Sequence, residues 1–559
     1  MKKKVTLLFS ILAAITIQHG FSQTGLRTIN SGLWSDTLIW EKTGNIYNPT
    51  PTWGHASSPP TSNQSVFIRN GHTVTTDGTK SCLNLTIETG GQLFANLVAN
   101  TLRVGQPSQT VPTGGTIDTL TADGILGGPG EIFPLELPVG AASLWIRGAG
   151  SIEIGRIRPT NGNLNFPGSA AANALPGARL IIDKDIKLNV VNNYAFSLTN
   201  SGPTANDSIS FTIKAGRTVT IADPTSYFHN NGVSAGVVSS TGGNYVYNIN
   251  GTLDLSANPS TTGGSSLIPY GNALSSITLN VSGLLKLGGY FKADTVGNSL
   301  GALYMNINNG GLIDATLTSK LITGTIGAVT ITPNIFFVES GNGALKRTVP
   351  NDGTKVKFEI GTSLTSHTPV TINSTSGPAE TYKINVKNTF DHTPPAQTIM
   401  KQWDISEGTA GGNSDTLRFS WTTADEAGSG FVHGGTIYVL RWNGTAWVST
   451  VASISGTGTL LDPWVAKIGG VSAFSQFAVS SFSVVSAFTW IGIISSDWSA
   501  GANWSTGVAP TVTDDIFIPS GTPNSANIKN LYVGHCKSVT VNNGAVVTVS
   551  TGGELKVGL

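Results

Sequence analysis

The chain has 559 residues, with 32 Lys and Arg against 31 Asp and Glu, so only 11% of it is charged where a soluble domain usually carries about 25%. A net charge of +1 supplies no cationic field for a phosphate backbone, and it excludes the composition of a coiled coil or a charge-driven disordered tail; nucleic acid is not an expected partner. Gly (68) and Pro (26) make the chain turn-rich, and 39% hydrophobic residues suffice for a large core spread over three or four domains.

Lys2, Lys3 and Lys4 precede an apolar run from Val5 to Ile17, and Gly20-Phe21-Ser22 then places small residues where a signal peptidase reads. This predicts a signal peptide over 1–22, cleaved before Gln23. The apolar run is too short to cross a bilayer core of about 30 Å. No other stretch could span a membrane, and the first Cys is Cys82, too far on to carry a lipid. The expected location is secreted or cell surface, with no membrane span after signal cleavage.

The phrase h-x-h-x-x-G-x-x-h, where h is apolar, recurs along the chain. Leu85, Ile87, Gly90 and Leu93 fit it, as do Phe211, Ile213, Gly216, Val219 and Ile221; Met305, Ile307, Gly310 and Ile313; and Val539, Val541, Gly544, Val547 and Val549. Shortened versions stand at Tyr247 to Leu255 and Leu279 to Leu287, and Leu144, Ile146, Ile152 and Ile154 keep the spacing with Ala149 in place of the Gly. Alternation with period two means strands with one buried face, and the Gly supplies positive φ for a sharp corner. Copies from Phe211 to Tyr247, Leu279 and Met305 are 36, 32 and 26 residues apart, one circuit of a coil of short strands. The expected fold class is all-β: a right-handed parallel β-helix over 106–335, capped by a Trp-led module at 23–105. A string of β-sandwiches is the rival, and these periods are too short for it. No helical periodicity is visible outside the signal.

From about Ile335 the strands are longer and more aromatic: Trp403-Asp404-Ile405, Leu417 to Trp421, Ile437 to Trp442 and Phe477-Ala478-Val479. Asn443-Gly444 between Trp442 and Trp447 signals a type I′ hairpin. An antiparallel β-sandwich is expected over 336–485, then a second, truncated copy of the N-terminal module over 486–559. Cys82-x-x-Leu85-Thr86-Ile87-x-x-Gly90 and Cys536-x-x-Val539-Thr540-Val541-x-x-Gly544 are one phrase written twice, so the two Cys occupy equivalent positions of separate modules and a disulfide between them is not expected.

Pro60 to Gly71 and Pro510 to Gly521 share a further phrase in identical register, each after Trp-rich sequence: Trp34, Trp40 and Trp53, and Trp490, Trp498 and Trp504. This resembles the opening module of large secreted, adhesin-like surface proteins of the Bacteroidetes type, in which such a lead-in precedes a β-helix of the pectin-lyase-like kind. The first copy also looks like the eight-glycine extracellular domain, through Trp53-Gly54, Pro60, Val66 to Ile68, Gly71, Val74, Leu85 to Ile87 and Gly90-Gly91-x-Leu93. The sandwich is similar to one that stands before the sorting tail in such proteins, by Trp403-Asp404-Ile405, Trp421, Asp425-Glu426 and Phe474-x-x-Phe477-Ala478-Val479. The resemblance implies export through the type-nine system with a C-terminal sorting domain. Here the chain stops at Lys556-Val557-Gly558-Leu559, inside an expected strand, so the module reads as truncated.

Candidate chemistry is sparse. Gly232-Val233-Ser234-Ala235-Gly236 has the spacing of a nucleophile elbow without the strand and helix that device needs. The eight His show no zinc-ligand spacing. Arg179, Asp183, Asp185 and Lys187 share parity against Leu180, Ile182, Ile186 and Leu188, as charges on one face of a polysaccharide lyase or hydrolase would; a solvated edge is the plainer reading. Asp514-Asp515 could touch Ca2+, but Gln64 and Ser65 stand at the aligned positions, so a turn role is expected. Trp421, Trp442, Trp447 and Trp464 could stack on sugars, whereas their alternation fits core packing better. No catalytic, cofactor-binding or metal-ligating residue is assigned. The expected role is contact, as a structural or adhesion protein meeting an extracellular glycan or protein surface. The alternative is a carbohydrate-active enzyme or glycan-binding protein using a β-helix face, and a spacer without ligand is the third reading.

Overall fold

The computed structural model describes residues 23–95, 100–105, 117–131, 133–137, 143–159, 179–189, 194–196, 208–221, 227–229, 244–257, 265–267, 276–288, 290–293, 302–317, 320–323, 337–460, 462–482, 488–542 and 544–558. Residues 1–22, read above as a signal peptide, and Gly232 to Gly236 lie outside them. The chain divides into two units, one running to Thr348 and including Glu359–Leu364, the other made of Val349–Phe358 and Thr365–Leu559. The fold is all-β, and its only helical turns among the described residues are the short 3-10 turns Thr37–Ile39, Thr423–Glu426 and Gly501–Asn503.

The first unit is a parallel β-helix. Ser65–Ile68, Asn84–Ile87, Ile117–Ala122, Ser143–Arg147, Arg179–Ile182, Ser208–Ile213, Asn244–Ile249, Ser276–Val281 and Ala302–Ile307 stack in that order, each parallel to the next, as sheet one. Sheet two takes the strand after each corner, from Thr73–Thr76 and Gln92–Ala95 through Ile186–Leu188 and Thr252–Asp254 to Leu312–Ala315 and Ala344–Val349. A third face holds Lys80–Cys82, Leu102–Val104, Pro134–Leu137 and Arg156–Pro159, also parallel.

Parallel pairing in fixed register puts like residues above like, so the inward positions form aliphatic columns. In sheet one Val66, Leu85, Leu120, Ile146, Ile182, Ile213, Ile249, Val281 and Ile307 are successive partners, all fully buried. Val74, Leu93, Leu126, Ile152, Ile186, Val219, Leu253, Leu285, Ile313 and Leu345 do the same in sheet two.

Two glycines show two different corner requirements. Gly216 has φ +74 with open space around it, the conformational role expected of the repeat. Gly283, in a shortened repeat, has no such φ; a Cβ there would meet the carbonyl oxygen of Gly251 one coil below at 2.0 Å. Close stacking of the corners, not left-handed backbone, requires it.

The coil does not end at 335. Phe337–Glu339 pairs parallel with Ala302–Ile307, Ala344–Val349 with Leu312–Ala315, and Ile360–Ser363 with Phe337–Glu339. It also begins within the Trp-led segment, where Gly25–Thr28 pairs parallel with Ser65–Ile68 and antiparallel with Trp40–Thr43.

The second unit holds an antiparallel β-sandwich. One sheet orders Val356–Phe358, Val370–Ser374, Asp415–Trp421, Trp464–Val471 and Ser453–Ser455. The other orders Glu380–Lys387, Gln402–Glu407, Gln476–Ser480, Tyr438–Trp442 and Trp447–Val451. Between them Phe419 of the first sheet packs on Trp403 and Phe477 of the second, with ring centres 5.2 and 5.4 Å apart. The hairpin after Trp442 is not a two-residue I′ turn: Trp442 pairs with Trp447, and residues 443–446 form the loop. The Asn443 carboxamide accepts from the Thr445 and Ala446 N–H groups, so its side chain closes the wider turn that its backbone would otherwise make.

Residues 488–558 repeat the β-helix pattern on a smaller scale. Asp515–Ile518 and Ser538–Val541 run parallel, as do Ala526–Ile528 with Val547–Val549 and Val533–Cys536 with Glu554–Val557. Trp490, Trp498, Trp504, Ile516, Ile518, Ile528 and Cys536 form their core. The Trp lead-in is the same device twice. The Trp40 indole N–H donates to the Trp34 carbonyl at 3.0 Å, and that of Trp504 to the Trp498 carbonyl at 2.7 Å.

Candidate functional site

The four charges Arg179, Asp183, Asp185 and Lys187 do not share one strand face. Arg179–Ile182 belongs to sheet one and Ile186–Leu188 to sheet two, with Asp183, Lys184 and Asp185 in the corner between them. Parity counted along the sequence survives the corner, but the face does not. Asp183 meets Lys214 and Arg217 of the following coil, both at 3.0 Å. Burial pushes its carboxyl up, and these two cations outweigh that and hold it below the ordinary value. Asp185 accepts from the Thr218 N–H at 2.7 Å. Lys184, which sequence parity hid, is 4% exposed and donates to the carbonyls of Gly148, at 3.2 Å, and Gly150 in the coil before. Each group at this corner is spent holding one coil to another.

The same holds along the outer side of sheet two. Glu153, Lys187, Thr220, Asp254, Lys286, Asp314 and Lys346 occupy successive register positions. Lys187 reaches Glu153 at 2.8 Å, Lys286 reaches Asp254 at 3.0 Å and Lys346 reaches Asp314 at 3.6 Å. Each follows an inward aliphatic residue directly, as Lys286 follows Leu285, and that spacing is the signal by which the file could have been found. Exposed pairs of this kind contribute about 0–1 kcal/mol each, so their main effect is to cancel charge where it stands.

On the outer side of sheet one the register stacks Trp145, Ile181, Thr212, Asn248, Asn280 and Asn306. The amides form a chain: Asn306 donates to Asn280 at 2.8 Å, Asn280 to Asn248 at 3.0 Å and Asn248 to the Thr212 hydroxyl at 3.4 Å. A neighbouring column runs Ser210, Val246, Thr278 and Tyr304. Near the start, the Arg147 guanidinium and Lys214 ammonium lie 4.7 and 5.2 Å from the Trp145 ring centre.

The remaining candidates have structural partners. Asp514 accepts from the Thr511 N–H at 2.7 Å, and Gln64 accepts from the Thr61 N–H at 2.9 Å, one turn device in both copies. Asp515 is held below its ordinary pKa by the Ser538 hydroxyl and by Lys537, which lies 3.2 Å away. No group of three or more His, Cys, Asp or Glu among the described residues could hold a metal ion. The sandwich tryptophans offer no open platform. Trp421 is buried and donates to Glu426; Trp442 lies under His392 with ring centres 3.8 Å apart and planes at 9°; Trp447 packs edge-on to Trp442; and His433 covers Trp464 at 4.3 Å. Cys82 and Cys536 are both buried and free, their thiols against the carbonyls of Arg103 and Lys556.

Residues 489–558 match a domain of unknown function (DUF8693), which covers the second copy of the Trp-led module. No curated protein matches the chain, and no solved structure does.

Proposed function

We propose that the protein is exported and acts at the cell surface or outside the cell as a structural or adhesion protein, through binding surface and not through a reaction centre. The observation that carries this reading is the pair of registered columns on sheet one, Thr212, Asn248, Asn280 and Asn306 beside Ser210, Val246, Thr278 and Tyr304. Parallel strands repeat at about 4.8 Å, so hydroxyls and amides recur at a fixed step along that face. Such groups donate and accept hydrogen bonds without demanding an opposite charge, and the Tyr304 ring, 36% exposed, adds a flat apolar contact. An extracellular glycan fits this chemistry best, and an uncharged protein surface is the other partner class it suits.

The test is to incubate the secreted protein with a panel of polysaccharides and assay both retention and new reducing or unsaturated ends. Retention without new ends is the expected result. New ends would overturn the reading in favour of a carbohydrate-active enzyme. Retention by no polysaccharide would leave a protein surface as the partner.

A further inference from the structure

Asn388 and Lys401 face each other at the mouth of the loop that joins two strands of the sandwich. Lys387 of Glu380–Lys387 pairs with Gln402 of Gln402–Glu407, so the next residues outward are these two. The Lys401 side chain is 7% exposed, and its ammonium lies 2.5 Å from the Asn388 carboxamide oxygen and 3.1 Å from Asp425 Oδ1. Asp425, 4% exposed, is pinned from the other side. The Ser366 hydroxyl donates to Oδ1 at 2.5 Å, and the Thr422 N–H and hydroxyl donate to Oδ2, both at 2.9 Å.

A buried cation needs a counter-charge, and Asp425 supplies it. Neutralisation does not require a carboxamide pressed closer to the amine than the carboxylate is. An amine and a fixed carboxylate held out of water, with an amide carbonyl brought against the amine, are the parts of an acyl transfer. We propose that Lys401 and Asn388 join through an intramolecular amide bond, with Asp425 as the catalytic residue that carries the proton.

Asp425 takes one proton from the Lys401 ammonium, leaving a neutral amine. The amine lone pair attacks Asn388 Cγ, the carbon bonded to the oxygen it already touches, and a C–N bond forms. A proton passes from the attacking nitrogen to the amide nitrogen of Asn388, whose bond to Cγ then breaks. Ammonia leaves, takes the proton held by Asp425 and departs as ammonium. The carboxylate is regenerated, nothing is oxidised or reduced, and the N–H of the new amide can donate to Asp425. The bond would close the loop that carries Phe390 and His392, the rings that pack on Trp447 and Trp442.

Peptide mapping of the folded full chain by mass spectrometry tests this. The expected result is a lariat tryptic peptide spanning residues 388–418, in which the Asn388–Lys401 bond closes a ring, short of one ammonia, with no cleavage after Lys401. Intact mass alone would mislead, because cyclisation of an N-terminal Gln23 loses the same ammonia. Lys401→Arg keeps the cation and Asn388→Ala alters an exposed residue; both should fold, lose the lariat peptide and give the linear peptides 388–401 and 402–418. Asp425→Asn should abolish the bond too, but its buried position puts folding at risk, so the other two variants decide. Linear, unmodified peptides 388–401 and 402–418 from folded wild-type chain would overturn the proposal.

Discussion

Lys187 stands directly above Glu153 on the next coil of the β-helix, in strict parallel register, with Nζ 2.8 Å from Oε1. That contact is one step of a file in which acid and base alternate along sheet two, interrupted by Thr220, so a chain with few charges uses several of them to neutralise its own side wall. From Ser210 and Thr212 onward, what faces outward on sheet one is then hydroxyl and amide, with Val246 and the Tyr304 ring.

The acid limb of stability follows from these pairs. In Asp254 burial pushes the carboxyl up, but the Ser256 hydroxyl and N–H and the Lys286 ammonium outweigh it, and the carboxyl stays below its ordinary value. Asp183 and Glu153 are shifted the same way. A carboxyl depressed in the folded state binds its proton more readily when unfolded. Its contribution is therefore complete above the unfolded value of about 4 and is lost as pH falls through the folded one. Glu407, pushed up by burial, works in the opposite sense. Thermal unfolding of the β-helix should have a midpoint that is flat from about pH 7 to 5 and drops below about pH 4. Asp183→Asn should make the drop shallower; an unchanged limb would count against the pairing.

Corner glycines should separate into two classes. Gly283→Ala forces a Cβ onto the Gly251 carbonyl and should cost roughly 3 kcal/mol, the upper end of overpacking. Gly216→Ala meets open space at φ +74 and should cost about 1–2 kcal/mol. Denaturant titration of the two variants checks the order, and a reversed order would contradict the stacking of corners described above.

The asparagine chain should behave as a connected unit. Asn280 both donates to Asn248 and accepts from Asn306, so Asn280→Ala breaks two links, and Asn306→Ala breaks only the one to Asn280. At about 1 kcal/mol per net hydrogen bond, Asn280→Ala should cost about twice as much, measured by chemical denaturation.

Neither cysteine should react in the native chain. Burial pushes both thiols up, in Cys82 far above the ordinary value, so little thiolate forms near neutral pH. Thiol labelling should be absent before denaturation and should yield two labels after it, without reductant. Labelling that requires reductant would reveal a disulfide.

Much of this was legible because inward positions obey a period of two. Of the residues named in the repeats, Leu85, Ile87, Phe211, Ile213, Met305 and Ile307 are buried, whereas Val541 and Val549 of the last copy are exposed. The matching Cys phrases likewise gave equivalent buried sites. Two things were hidden. The corner Asp183-Lys184-Asp185 inserts three residues between strands, which preserves odd and even numbering while changing the face. Partners such as Lys187 and Glu153 are set by which coil lies on which, and the differing numbers of residues from one coil to the next conceal that order. Lys401 and Asp425 lie on different segments of the sandwich, and nothing local to either announces the other.

The register of the coils is what every outward column depends on, and cysteine cross-linking measures it directly. Asp254 and Lys286 are register partners on adjacent coils, with Cα atoms about 4.8 Å apart, inside the disulfide range; Asp254 and Asp314 are two coils apart, at about 10 Å. Oxidation should close an intramolecular disulfide in the Asp254→Cys, Lys286→Cys chain and none in the Asp254→Cys, Asp314→Cys chain. Equal cross-linking of both pairs, or closure of the distant pair alone, would contradict the stacked coil and the contact surface built on it.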